Sequence, residues 1–266
     1  LARCEPERIE DDQRFAGRIL FPWNDRIPGG SYSFAGERHS LRINCAEDGS
    51  AIHGFLYRRT MELVGDYADA DSARLVLRAR LLPGEEPGYP FAPSLRVEYR
   101  LEEGRFSLGF TMRNDGQAPA PVALGWHPYF RLEGPSENWL FEHKGESFVP
   151  VGPDLMPLGA PEPVAGSPWD FRRARPLGKG PIDIALAASA DGLCRLRGPG
   201  GLELRIEADP RLFRYTQLYL PPERDALAIE SVSAATDAFN RDGLGLIVLA
   251  KGEERSGSVS LRLGRA

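Results

Sequence analysis

The sequence predicts an all-β protein, built as one large antiparallel β-sandwich. Glycine and proline account for 29 and 23 of the 266 residues, and they interrupt the chain so often that few windows could hold a long amphipathic helix. Between the interruptions lie many short segments in which apolar and polar residues alternate, a pattern typical of strands. No internal repeat and no change in composition marks a boundary, so residues 1–266 are expected to form a single domain.

The clearest strands come in pairs that are joined by turn residues. The predicted hairpins pair 31–34 with 39–43, 61–66 with 74–82, 95–101 with 105–114, and 193–196 with 202–208. Further strands are expected at 148–149, 182–187, 213–220, 227–230, 244–250 and 258–263. Two long segments, 1–30 and 152–180, show no strand pattern and are predicted to be irregular. Loops of that length in a compact domain usually form or cover a functional site.

An alternating run extends from Leu108 to Leu124, and after a turn at Asn114-Asp115-Gly116 a further strand is expected to end at His127. Side chains alternate across a strand, so Trp126 should point to the core face and His127 to the opposite face. Ala123 and Gly125 precede His127 on that face, and their small size leaves open space beside the imidazole. Pro128 cannot donate a ladder hydrogen bond and should end regular pairing. A histidine held there is suited to acid or base chemistry, and a histidine merely hydrogen-bonded at a sheet edge is equally compatible with the pattern.

Three other segments repeat this arrangement of small residues on the same strand face as one polar residue. The polar residues are Glu230, Asp183 and His53. A concave sheet face lined by small residues would leave a pocket that these side chains could border. Each residue also has a simpler structural interpretation: a solvated strand end for Glu230, a strand start for Asp183 and a turn cap for His53.

Five segments in the same order as the motifs of a known family span most of the chain. They are Asn24-Asp25-Arg26-Ile27, Ile52-His53-Gly54, Gly125-Trp126-His127-Pro128-Tyr129-Phe130, Trp169-Asp170-Phe171-Arg172 with Pro181-Ile182-Asp183, and Leu227-Ala228-Ile229-Glu230 with the later Asp237-Ala238-Phe239-Asn240. Together they resemble the aldose 1-epimerases, the galactose mutarotase group. Relative to the family pattern, Asp25 is inserted beside the arginine, and Ser231 with Val232 replaces a Pro-Met pair. A glutamine that some members use aligns with Phe213, so no glutamine is transferred to this chain.

The resemblance implies a galactose mutarotase-like supersandwich and an isomerase that interconverts the α and β anomers of a free aldose. It implies that Glu230 is the catalytic base, which removes the proton of the C1 hydroxyl. His127 is then the catalytic acid, which protonates the ring oxygen. Arg26, His53 and Asp183 are implied to bind the substrate, with the charged groups forming strong hydrogen bonds to sugar hydroxyls.

The implied partner is a small-molecule sugar, and an aromatic ring is expected to stack on its apolar face. The candidates for that ring are Phe55, Tyr129 and Trp169. The reaction moves two protons but no electrons and no transferred group, so we expect neither a cofactor nor a metal. The sequence makes no prediction of the oligomeric state.

Composition argues against several other classes of protein. The net charge of −5 and the pI of about 5.6 give no basic excess for binding nucleic acid or an anionic membrane. No uninterrupted apolar run approaches the ~20 residues that span a bilayer. The cysteines, Cys4, Cys45 and Cys194, are sparse and odd in number, which does not indicate a disulfide framework. A cytoplasmic location is therefore expected, because thiols stay reduced there.

Two alternative functions use parts of the same pattern. A non-catalytic sugar-binding or sugar-sensing protein could share the fold, although binding alone does not require both an acid and a base. A carbohydrate-active enzyme that cleaves glycosides would combine Glu230 with Asp183 or another carboxylate. Such hydrolysis usually needs two carboxylates at a set separation, whereas the residues singled out are one Glu, one Asp and two His.

A metal site is a third alternative. It would require His39, His53, His127 and His143, and their spacing matches no compact ligand motif. His39 and His143 stand beside charged residues and are instead predicted to be solvated.

Overall fold

Twenty-three β-strands make up nearly all the regular structure of the protein in a computed structural model that describes residues 14–265. The strands are β1 (Arg18–Leu20), β2 (Arg26–Pro28), β3 (Ser31–Phe34), β4 (Glu37–Ser40), β5 (Ser50–Ile52), β6 (Glu62–Ala68), β7 (Ser72–Arg80), β8 (Pro93–Glu102), β9 (Arg105–Asn114), β10 (Ala120–Val122), β11 (Gly125–His127), β12 (Tyr129–Phe130), β13 (Leu140–His143), β14 (Ser147–Val149), β15 (Glu162–Pro163), β16 (Arg175–Pro176), β17 (Ile182–Ala187), β18 (Leu193–Arg197), β19 (Leu202–Ala208), β20 (Tyr215–Leu220), β21 (Leu227–Val232), β22 (Ile247–Leu249) and β23 (Glu254–Arg265). Short 3-10 turns lie at Leu56–Arg58 and Ser136–Asn138. Within the described range, no helix has the length and apolar character needed to cross a bilayer.

Two large antiparallel sheets dominate the architecture. The eight-stranded sheet has the order β1-β11-β21-β20-β17-β14-β15, and β12 also pairs with β21. The nine-stranded sheet has the order β16-β13-β18-β19-β23-β9-β8-β7-β6. Three small two-stranded sheets pair β2 with β5, β3 with β4, and β10 with β22. The predicted all-β fold of large antiparallel sheets is confirmed, and the assignment of residues 1–266 to a single domain stays a prediction.

One continuous apolar core contains buried residues from both large sheets. Leu218 and Ile229 belong to the eight-stranded sheet, Phe110 belongs to the nine-stranded sheet, and all three are buried in the same cluster. The rings of Phe106 and Trp126 meet across the sheets with their centroids 6.1 Å apart. Burying a large apolar side chain contributes about 1.5–3 kcal/mol of hydrophobic free energy. The face of β11 and β21 that points away from this core is therefore available for polar side chains.

The run that was predicted to end in a strand at His127 is divided among three sheets. β9 lies in the nine-stranded sheet, β10 pairs with β22, and β11 joins the eight-stranded sheet. Alternation has the same period in every sheet, so the sequence pattern could not show where the chain changes sheets. Trp126 does enter the core, and Pro128 does separate β11 from β12, as predicted.

The two segments predicted to be irregular differ in outcome. The segment 1–30 contains β1 and β2, where no strand was expected. Its residues 1–13, which include Cys4, lie outside the described residues. The segment 152–180 contains only the two-residue strands β15 and β16, in agreement with the prediction.

The prediction that His39 and His143 are solvated is wrong. His39 is buried on β4 and stacks on Tyr32, with ring centroids 4.8 Å apart. His143 is buried on β13, and its Nδ1 accepts a hydrogen bond of 3.1 Å from the N–H of Gly145. Burial lowers the pKa of His143 to about 4. Charged neighbours in the sequence were misleading, because adjacent residues of a strand point to opposite faces.

Gly54 lets two backbone segments approach closely beside His53. Its φ is +68°, and a Cβ at this position would collide with the backbone carbonyl of Phe21. The N–H of Phe55 donates a hydrogen bond of 3.1 Å to the same carbonyl. Glycine satisfies both requirements because it lacks a Cβ and tolerates positive φ.

We expect Gly54→Ala to lower the free energy of unfolding by about 3 kcal/mol, from left-handed strain and the collision together. Gly36→Ala is the matched control, because Gly36 has a φ of +83° and open space around the position of a Cβ. Its free energy of unfolding should fall by only about 1–2 kcal/mol, from left-handed strain alone. Urea unfolding of both variants measures the difference, and equal losses would contradict the close approach at Gly54.

Candidate active site

Neighbouring strands place His127 and Glu230 side by side. Trp126 on β11 pairs with Ser231 on β21, so the antiparallel register sets the next residues, His127 and Glu230, opposite each other. Nε2 of His127 lies 3.4 Å from Oε1 of Glu230. Both side chains are nearly inaccessible to solvent, with 6% and 4% of their surface exposed. An imidazole and a carboxylate in this contact can exchange protons with one bound molecule.

Small residues form the floor beside this pair. Ala228 pairs with Tyr129 on one side and with Tyr219 on the other, so that an alanine stands between two tyrosines. Ala228 and Tyr129 belong to a small apolar cluster that is separate from the main core, whereas Ile229 belongs to the main core. The alternation predicted for 226–230 is confirmed. Ala228 is itself fully buried in this cluster, with Ala16 and Tyr219 packed against it.

Gln217 on β20 connects Glu230 to Asp183. It pairs with Glu230 in the register, and its Nε2 donates a hydrogen bond of 2.6 Å to Oδ1 of Asp183. Burial and the nearby charge of Asp25 raise the pKa of Asp183 to about 7. Gln217 is not among the predicted site residues, because the family glutamine aligns with Phe213, which is a core residue. The missed signal was the alternation of Gln217 with the apolar residues of its strand.

Arg26 lies at the start of β2 between two carboxylates. Its Nε donates to Asp48 at 2.7 Å and its Nη1 donates to Asp25 at 3.3 Å. Burial alone lowers the pKa of the guanidinium, but the charges of Asp25, Asp48 and Asp183 raise it above its ordinary value. Arg26 therefore stays protonated, and its plane is fixed before any ligand binds.

His53 follows β5 and packs edge-on against His127, with ring centroids 5.4 Å apart. Its Nδ1 accepts a hydrogen bond of 3.1 Å from the backbone N–H of Asp25. Burial, and then the nearby His127 and Arg26, hold the pKa of His53 well below its ordinary value. A neutral imidazole that accepts at Nδ1 carries its proton on Nε2. His53 therefore presents a hydrogen-bond donor rather than a positive charge.

Phe15 packs over both histidines from the beginning of the described chain. Its ring centroid is 4.6 Å from that of His53 and 6.4 Å from that of His127. The preceding residue, Arg14, forms an ion pair of 3.0 Å with Asp225. Phe15 lies in a segment predicted to be irregular and is not among the predicted site residues. No local pattern marks it, because its ring contacts, with His53, Tyr57 and His127, are all distant in sequence.

Of the three aromatic candidates, Tyr129 borders the pair formed by His127 and Glu230. Its ring stacks on His127 with centroids 5.1 Å apart and an interplanar angle of 26°. Phe55 instead packs against Trp23 in the main core. Trp169 is partly buried and packs on the same core.

The structure brings all five predicted site residues into one network. Arg26, Asp183 and Gln217 line one cavity. Gln217 also pairs with Glu230 on the neighbouring strand. In residues 14–265, no three or more His, Cys, Asp or Glu side chains are grouped to hold a metal ion. Two of the four histidines of the metal alternative lie on β4 and β13, in other sheets. The five predicted residues are Glu230, His127, Arg26, His53 and Asp183.

Solved structures define the class to which this fold belongs, which is that of the galactose mutarotase-like proteins. An aldose epimerase homologue from C. elegans aligns with 100% of this chain and 87% of its own, with a TM-score of 0.85 and 20% identity. A galactose 1-epimerase from Lactobacillus acidophilus NCFM aligns with 100% of this chain and 85% of its own, with a TM-score of 0.84 and 18% identity. At these identities the likeness establishes the fold.

The sequence establishes the family. The sequence model of the Aldose 1-epimerase family matches residues 2–262, and the chain belongs to the aldose 1-epimerase family. The uncharacterized protein YihR of Escherichia coli K12 is 27% identical over 243 residues, which are 89% of this chain and 75% of YihR. Human galactose mutarotase is 26% identical over 198 residues, which are 73% of this chain and 56% of the relative. The chain thus spans about half the length of the human enzyme.

The raised pKa of Asp183 predicts a pH-dependent cost to stability. The ordinary pKa of an aspartate is about 3.9, and that of Asp183 is about 7. Between these values the unfolded chain has released its proton while the folded chain retains it. The free energy of unfolding therefore falls as the pH rises from about 4 to about 7, and it stays lower above that range.

We expect Asp183→Asn to be more stable than the native chain at pH ~8, by on the order of 1 kcal/mol, and equally stable at pH ~4. The exposed Asp242 provides the control, since Asp242→Asn should follow the native chain at both values. Urea unfolding at the two pH values gives the comparison. A loss of stability at pH ~8 in Asp183→Asn would show that the ionised carboxylate stabilises the fold.

Proposed function

We propose that the protein is an aldose 1-epimerase that interconverts the α and β anomers of a free aldose. The observation that supports this proposal is the buried contact of 3.4 Å between Nε2 of His127 and Oε1 of Glu230. The C1 hydroxyl oxygen and the ring oxygen of a pyranose are bonded to the same carbon. An acid and a base that lie this close can therefore address both oxygens of one sugar.

In the proposed reaction, Glu230 removes the proton of the C1 hydroxyl while protonated His127 donates a proton to the ring oxygen. The bond between C1 and the ring oxygen breaks, and C1 becomes an aldehyde. Rotation about the C1–C2 bond then presents the other face of the carbonyl. On closure His127 recovers its proton from the attacking hydroxyl, and Glu230 returns its proton to the carbonyl oxygen. The sugar and both side chains finish with the protons they began with, so the proposed reaction consumes no cofactor.

The surroundings of Glu230 suit a general base. Burial raises its pKa well above the ordinary value, and the negative charges of Asp25 and Asp183 raise it further. Arg26 acts in the opposite direction and limits the shift. A carboxylate with a raised pKa binds a proton more strongly and is a better base near neutral pH. Each positioned proton-transfer group contributes ~10²–10⁴-fold to the rate.

The remaining residues are proposed to hold the sugar. Arg26 and Asp183 line the same cavity and would bind hydroxyls through charge-assisted hydrogen bonds. His53 would donate from Nε2 to the oxygen on which negative charge develops. Tyr129 and Phe15 border His127 with apolar ring faces, against which the C–H face of a pyranose can pack. The proposed setting is the cytoplasm, with a small free sugar as the partner.

We expect Glu230→Gln to slow mutarotation of freshly dissolved α-D-glucose or α-D-galactose by ~10²–10⁴-fold, because the amide keeps the shape but cannot accept the proton. Polarimetry measures the rate, and calorimetry should show that the sugar still binds. Glu207→Gln, on an exposed position of β19 in the other sheet, should leave the rate unchanged. A native rate in Glu230→Gln would remove this residue from the mechanism.

The same assays distinguish the alternatives. A sugar-binding protein on this fold would bind α-D-galactose without accelerating its anomerisation above the spontaneous rate. A glycoside hydrolase would release reducing sugar from a disaccharide. Its carboxylates, Glu230 and Asp183, are on β21 and β17 with β20 between them. Their backbones are thus about 9–10 Å apart, whereas hydrolysis depends on the separation between the two carboxyl groups themselves.

A further inference from the structure

Asp25 is a buried carboxylate for which the proposed reaction has no direct use. It is the residue that departs from the family motif beside Arg26, and it lies in the turn before β2. Only 7% of its surface is exposed, and its φ is +60°. A buried acidic side chain in a left-handed conformation is retained only where its contacts offset both costs.

Those contacts join three separate parts of the site. The backbone N–H of Asp25 donates to Nδ1 of His53, and its carbonyl accepts from the N–H of His53, each at 3.1 Å. Oδ1 accepts from the backbone N–H of Arg26 at 2.7 Å and from its Nη1 at 3.3 Å. Oδ2 accepts from Oγ1 of Thr236 at 2.5 Å. One residue thus orients a histidine and an arginine of the site.

The contact with Thr236 extends the network towards the strand of Glu230. β21 ends at Val232, and Thr236 follows four residues later in a buried segment. The N–H of Asp237 donates a hydrogen bond of 2.9 Å to the carbonyl of Arg26. The side chain of Asp25 and the backbone carbonyl of Arg26 therefore both accept hydrogen bonds from the segment that follows β21, the strand of Glu230.

Charged and titratable groups surround Glu230 from four elements. They are His127 on β11, Asp183 on β17, Asp25 and Arg26 at the start of β2, and His53 after β5. His53 is neutral for the reasons given above. Asp25 and Asp183 oppose ionisation of Glu230, and Arg26 favours it. Both side-chain oxygens of Asp25 accept hydrogen bonds from neighbouring protein groups, Oδ1 from Arg26 and Oδ2 from Thr236.

We propose that Asp25 is a positioning residue of this site, which holds Arg26 and His53 in their working orientations and places a fixed negative charge beside Glu230. The inference rests on the proposed epimerase function. Because both of its oxygens are engaged by Arg26 and Thr236, Asp25 is proposed to act through neighbouring side chains rather than on the sugar itself. Its replacement by asparagine removes the charge, keeps an oxygen for the hydrogen bonds, and suits the left-handed backbone.

The test is the pH dependence of kcat/KM for mutarotation in Asp25→Asn. We expect the acidic limb of the profile to move down by about 1 pH unit, because loss of the nearby negative charge lowers the pKa of Glu230. Asp48→Asn is the matched control: it removes the other carboxylate that holds Arg26, without contact to His53 or Thr236. It should raise KM and leave the acidic limb in place. An unmoved limb in Asp25→Asn would overturn the proposal.

A second measurement does not depend on turnover. Titration of ¹³C-labelled side-chain carboxyls by NMR should show a resonance with a raised pKa that is absent in Glu230→Gln. That resonance should titrate at lower pH in Asp25→Asn and should not move to lower pH in Asp48→Asn. Failure of the native chain to accelerate anomerisation would refute the proposed function, and the NMR titration would still decide the role of Asp25.

A further variant covers the case in which Asp25→Asn does not fold. Thr236→Val deletes one hydrogen bond to Asp25 and keeps the charge. We expect it to raise KM severalfold, through looser positioning of Arg26, without moving the acidic limb to lower pH. A native KM in Thr236→Val would contradict the positioning role.

Discussion

The register between β11 and β21 is the constraint on which the rest of the site depends. It sets His127 opposite Glu230 and brings Nε2 to within 3.4 Å of Oε1. A slip of one residue would turn one of these side chains into the apolar core, because successive residues of a strand face opposite sides. The register is held by the core residues that alternate with the pair, such as Trp126 and Ile229. Packing of the sandwich and geometry of the site are thus two consequences of one pairing.

The site combines several buried carboxylates with a single well-anchored arginine, Arg26. Glu230 and Asp183 both have raised pKa values because burial penalises the charged form and because they face further negative charge. Such an arrangement is unfavourable for folding, and the hydrogen bonds from Gln217 and to Asp25 offset part of that cost. The same features favour proton transfer, since a carboxylate that resists ionisation is a stronger base. Under the proposed function, this cost to stability falls on the group that accepts the proton.

The fold was predictable from alternation, and the residues of the candidate site were recognisable from motifs. His127 before Pro128, and Glu230 at the end of an alanine-rich alternation, were recognisable because both the chemistry and the strand face are local properties of the chain. The errors have a common origin in contacts that are distant in sequence. His39 was expected in solvent from its charged neighbours, but its ring is buried between Tyr32 of the same hairpin and Phe91, which is far away in the chain. Gln217 was missed because it joins the candidate site only through its pairing with Glu230 on β21.

The sequence by itself determined which residues can form strands, which face of each strand is apolar, and which side chains are able to donate or accept protons. These follow from residue type and from a period of two along the chain. The tertiary structure decided which strands are neighbours and which polar groups meet. Asp25 and Thr236 are 211 residues apart in the chain, yet they share a hydrogen bond, and the ring of Phe15 reaches two histidines far from it in sequence. A local period cannot encode such partners, because every strand has the same repeat and only packing of the complete core selects one arrangement.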